Sequence, residues 1–142
     1  MVIPITTHTT TKAKQVLYWA STGFSAFALA AIGIANLLRV PAIVAGLVHL
    51  GYPAYLASIL GVWKLLGSVA ILLPGRPRLK EWAYAGMFFT LSGAALSHTI
   101  SGDSVANILV PLVLLAFVMT SWALQSARQA VITSHATARQ AA

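Results

Sequence analysis

The chain has 142 residues, 58% of them hydrophobic and only 8% charged. A soluble domain carries roughly 25% charged residues, and a chain of this size cannot hide so large an apolar fraction from water, so a mean hydropathy of +0.83 points to lipid as the solvent. The absence of cysteine excludes disulfides, thiolate nucleophiles and iron–sulfur ligation. The net charge of +7 gathers at the ends of apolar runs, where it serves topology and anionic headgroups rather than nucleic acid.

Residues Met1 to Lys14 read as a polar, flexible arm (the polar tails being 1–14 and 126–142), and no A-x-A cleavage site follows the first apolar run, which is therefore expected to be retained. That run, about 16–38, is long enough to cross a bilayer core of about 30 Å. Tyr18 and Trp19 stand at its start as interfacial aromatics, and Ala26, Ala30 and Gly33 offer a small-residue face for a neighbouring helix. Residues Val40 to Pro53 are apolar but too short to span, and predict a short interfacial or re-entrant helix carrying His49. A second span is expected over about 55–73, ended by Pro74, and a basic turn follows. A third span is expected over about 82–100, with Glu81 in its first turn beside Trp82 and Tyr84 as interfacial anchors. The turn Ser101–Ser104 leads to a fourth span over about 105–124, with Pro111 inside it as a source of a kink.

The expected fold is thus all-α: one domain over 1–142, an integral membrane four-helix bundle with a short interfacial helix between helices 1 and 2. Four spans place both termini on one side. Lys12, Lys14, Arg76, Arg78, Lys80, Arg128 and Arg139 lie on that side, Arg39 on the other, and Lys64 inside the membrane. The positive-inside rule then makes both termini cytoplasmic.

Several segments also carry a resemblance. Gly51-Tyr52-Pro53, the run Leu60-Gly61-Val62-Trp63-Lys64-Leu65-Leu66-Gly67, and Lys80-Glu81-Trp82-Ala83-Tyr84-Ala85-Gly86 are three of them; Ala95-Leu96-Ser97-His98 and Gly102-Asp103 follow. Together they resemble the DoxX-like family of small four-helix bacterial membrane proteins. The match lies in the central third, and hydropathy extends it to the outer helices. The resemblance implies a four-helix fold in the bacterial inner (plasma) membrane. Some members of that family are linked to sulfur oxidation with quinone or to redox-stress complexes, and no catalytic residue is carried over from them.

Lys64 is the sharpest chemical feature. A charge at mid-depth costs at least ~2.5–3.5 kcal/mol on insertion scales, so it should face the bundle interior or a wet cavity. It reads either as a catalytic or ligand-anchoring lysine or as a structural one bonded to carbonyls or a carboxylate. A tight turn brings it level with Phe89 and Thr90, leaving Glu81 about 12 Å away along the third helix; Glu81 is expected to pair with Arg76, Arg78 or Lys80 instead. At the far end, His98 and Asp103 read as an acid/base group and its orienting carboxylate, or as helix-end caps. Asn36, His49, Arg39 and Asn107 are expected at similar depth, so that Asn36, His49, Asn107 and, beside Lys64, Trp63 are candidate ligand-binding residues. A haem on His49 and His98, or a zinc site, is disfavoured by their scatter and by only two acids. A quinone is compatible with the chain.

Two functions compete. The first is a small membrane subunit, self-associating or partnered with a protein of a redox or lipid-related system. The second is a membrane-embedded enzyme acting on a lipophilic small molecule, an acid/base isomerase, cyclase or hydrolase or a quinone-linked oxidoreductase, with Lys64, His98 and Asp103 as catalytic candidates. A transporter would need an oligomer and more polar residues within the spans.

Overall fold

Five α-helices follow one another in the chain: α1 (Lys12–Leu37), α2 (Pro41–His49), α3 (Leu56–Leu72), α4 (Pro77–Ile100) and α5 (Val105–Gln140). The computed structural model describes residues 12–140, with side chains up to residue 126. The expected arm up to residue 11, the last two residues and the side chains of Arg128 and Arg139 lie outside the described residues.

The helix ends follow from local chemistry. Arg39, at φ 50°, closes α1: its N–H bonds the carbonyl of Asn36 and the N–H of Val40 bonds that of Ala35. This is a Schellman closure with arginine in the position usually held by glycine, and Pro41 starts α2 directly after it. Gly51 at φ 84° and Gly102 at φ 69° close α2 and α4 in the same way, through Tyr52 N–H to Leu47 and Asp103 N–H to His98. Pro77 at the first helical position opens α4.

The four long helices close a ring. α1 packs on α3 and α5, α4 packs on α3 and α5, and α2 lies against α1 and α3. Sequential long helices are neighbours, as short connections demand. The tightest approach is between α1 and α3 at Gly33 and Gly61. A Cβ built on Gly61 would lie 2.9 Å from the carbonyl oxygen of Gly33 and 2.7 Å from Leu37 Cγ. The apolar core gathers Leu29, Ile71, Met87, Leu91, Leu114 and Val118. Outside, Phe27, Phe89 and Ile100 are 75%, 72% and 77% exposed, a surface that water would not tolerate in so small a protein.

Several expectations are corrected. α4 begins five residues before the expected third span, which places Glu81 in the second turn, beyond the reach of the terminal dipole. Lys12–Lys14 belong to α1, and α5 continues with Pro111 inside it to Gln140. Tyr18 and Tyr84 are not interfacial anchors: both are buried between the helices, Tyr84 at 1% exposure, whereas Trp19 and Trp82 do face outward. Of the four long helices, α1 and the first part of α5 have spanning length and apolarity, α3 is shorter at 17 residues, and α4 is less apolar because Arg78, Lys80, Glu81, Thr90, Ser92, Ser97, His98 and Thr99 are spread along it.

Candidate functional site

The polar residues of this chain sort into three places. At the terminal end of the ring, a buried polar cluster occupies the core. Lys80 and Tyr84 are one turn apart on α4, on the stripe that continues through Met87, Leu91 and Ala95. Thr22 from α1 and Ser121 from α5 meet them. Tyr84 Oη and Ser121 Oγ are 2.7 Å apart, Ser121 Oγ and Thr22 Oγ1 are 2.5 Å apart, and Lys80 Nζ donates to Tyr18 Oη at 3.5 Å. Ser25 Oγ and both polar atoms of Gln125 are buried and have no partner among the described residues. The sequence reading missed this cluster, placing Lys80 in a basic surface turn. The signal was present as a three- and four-residue spacing of Tyr18, Thr22 and Ser25 with Lys80 and Tyr84. Glu81 points elsewhere and accepts a 2.7 Å bond from Trp122 Nε1. Among the described residues it forms no ion pair with Arg76, Arg78 or Lys80, because α4's earlier start turns Lys80 into the core.

At the opposite end, three of the expected residues meet. Asp103 Oδ1 is 2.7 Å from His49 Nε2, and Asp103 Oδ2 is 2.6 Å from His98 Nδ1. The glycine closure of α4 produces this: the N–H of Asp103 is tied to the carbonyl of His98, so the carboxylate falls back over the imidazole. Nearby in the chain, Tyr52 Oη and Ser97 Oγ are 2.8 Å apart. Asn36 is buried with its Nδ2 unpartnered, while Arg39 and Asn107 are exposed, and none of the three takes part in these bonds. Among the described residues no group of three or more His, Cys, Asp or Glu side chains has metal-holding geometry.

His98, then His49, hold the Asp103 carboxyl below the usual carboxylate range by hydrogen bonding to its ionised form. A depressed carboxyl contributes stability above its ordinary range and loses it as pH falls through the lowered value. Asp103→Asn should therefore lower thermal stability at pH 7, with the gap from wild type closing under acid. Thermal unfolding in detergent from pH 7 to pH 3 checks this; a gap that does not narrow would show that the carboxylate contributes nothing.

The third place is a groove of about 360 Å³ between α3 and α4. Its walls are apolar, with Leu60, Leu66, Leu79 and Met87 among them, and Trp63 and Trp82 stand at its mouth. Lys64 is its one charged lining residue, with Thr90 on the facing helix. Lys64 is half-buried and, among the described residues, makes no side-chain hydrogen bond or ion pair. Thr90 and His98 are eight residues apart on α4, about 12 Å. Lys64 and His98 therefore belong to different places rather than to one catalytic set.

An all-helical chain with two helices long and apolar enough to cross a membrane, and with large apolar side chains exposed on each long helix, fits a helical membrane protein. The DoxX-like family model matches residues 20–121, and the chain belongs to that family. Neither the curated proteins nor the solved structures provide a match.

Proposed function

We propose that this chain crosses the inner membrane four times, with both termini cytoplasmic, and holds a lipophilic small molecule in the α3–α4 groove. One observation carries the reading: an apolar groove between α3 and α4 contains a single cation, Lys64, midway along its helix and without a side-chain partner among the described residues. Its volume lies at the lower end of ordinary ligand sites, which run from roughly 300 to 1,000 Å³. Lys64 stands eight residues from either end of α3, about 12 Å from each, too deep to reach headgroups with ease. A charge kept there is expected to serve a site. The seven-to-one distribution of basic residues supports the topology.

Groove filling tests this. A Cβ on Gly86, which lines the groove, meets nothing within 4 Å, so Gly86→Leu should fill the space without disturbing the helices. Native mass spectrometry of gently extracted wild-type protein is expected to show a retained small lipophile, lost in Gly86→Leu. A ligand-free protein that carries a stoichiometric second polypeptide would favour the membrane-subunit reading instead.

A further inference from the structure

Resting on that reading, we infer that the groove's ligand is an amphipathic acid: its carboxylate pairs with Lys64 at mid-depth, and its apolar chain runs along α4 toward Trp82. The argument is one of charge balance. The chain has only two acids, and both are engaged away from the groove. Glu81 accepts from Trp122, and Asp103 lies between His49 and His98. Lys80, the other inward cation, donates to a phenol in the polar cluster. Lys64 has no such group among the described residues, and α3 is packed closely on α1 at this position: a Cβ on Gly33 would lie 3.2 Å from Lys64 Cβ. In a low-dielectric groove an unpaired ammonium is costly, and an anionic oxygen is the group that offsets this best.

Depth selects the source of the anion. A phospholipid phosphate stays at the interface, about 12 Å from Lys64, whereas a free carboxylic acid can sink its head. The groove extends from Leu79 to Thr90 on α4, about 16 Å, a length suited to an extended alkyl chain. Thr90 Oγ1 donates to the carbonyl of Gly86, which leaves its lone pairs, not its proton, toward the groove; Lys64 is then the donor for the head.

The test uses the purified protein in phosphatidylcholine nanodiscs with 9,10-dibromostearic acid and its methyl ester. Both carry the same bromines and quench Trp63 and Trp82 when seated in the groove. The acid is expected to bind about tenfold or more tightly than the ester, the range of a charge-assisted bond. Lys64→Met should abolish the preference for the acid over the ester, and Lys64→Arg should keep it. Equal quenching by acid and ester in wild type, abolished in Gly86→Leu, would overturn the acid inference and leave the groove reading standing. Quenching that Gly86→Leu does not reduce would overturn the groove reading itself. Competition by phosphatidylglycerol in the nanodisc would assign the anion to a lipid headgroup and overturn the inference.

Discussion

Replacing Gly61 by leucine is expected to force α1 and α3 apart and to destabilise the protein by about 1–3 kcal/mol, the usual cost of overpacking. The two helices touch here through backbone: the built Cβ of Gly61 falls 2.9 Å from the Gly33 carbonyl oxygen, which cannot rotate out of the way as a side chain could. Leu37, on the other side at 2.7 Å, can adjust only in part because its own backbone is held one residue away by the closure of α1. Gly61→Ala should therefore already be harmful, and Gly61→Leu more so. Gly93 is the control. Nothing lies within 4 Å of its Cβ position, and Gly→Ala inside a helix is worth roughly 0.5–1 kcal/mol in the stabilising direction. Apparent melting in detergent should rank Gly93→Ala at or above wild type, then Gly61→Ala, then Gly61→Leu. Equal midpoints for all three glycine variants would mean that the close crossing does not exist.

The second large effect is expected at Ser121. Its hydroxyl stands between Tyr84 and Thr22, and all three side chains are shut off from solvent. Ser121→Ala removes two bonds and leaves a buried phenol and a buried hydroxyl short of partners, at a cost of about 1–3 kcal/mol. Tyr84→Phe removes one of those stranded groups in advance, so the double variant Tyr84→Phe/Ser121→Ala should cost less than the two single changes added together. Groups in one network show coupling of roughly 0.5–3 kcal/mol. Unfolding of the four proteins in the cycle measures this, and strict additivity would show that the hydroxyls do not bond one another. The cluster also predicts where damage is slight: Ser92 and Thr120 bond only carbonyls of their own helices, and their replacement by alanine should leave stability nearly unchanged.

Much of the architecture is legible without coordinates. The run 55–73 predicts α3 to within a residue at each end, because Pro53 and Pro74 bracket it and its interior is uniformly apolar. The short helix before it follows from the apolar run that Pro41 and Pro53 bound. The start of α4 was misplaced because hydropathy marks where a helix enters lipid, whereas Pro77 marks where the helix begins. That displacement of five residues accounts for the misreading of Glu81 and Lys80, which belong to the helix rather than to its leading turn. Packing then turns Lys80 and Tyr84 into the core and leaves Glu81 at the flank, facing Trp122. The candidate site divides in the same manner. Lys64 stood out from its neighbours alone. The pairing of His98 with Asp103 is local, set by a turn within five residues, but the arrival of His49 from 54 positions earlier is not.

The sequence by itself determined the helical class, the family and the place of Lys64 midway along its helix, because each depends on composition and on distance along one helix. Only the tertiary structure decided which polar groups share a place. Contacts between helices depend on their rotation about their own axes, and that rotation is set by packing such as the Gly33–Gly61 crossing. A turn of 100° per residue means that one misassigned position moves a side chain from lipid to core. For that reason the buried cluster around Tyr84, the separation of Lys64 from His98, and the groove that receives Lys64 emerged from the packed helices and not from the chain read in order.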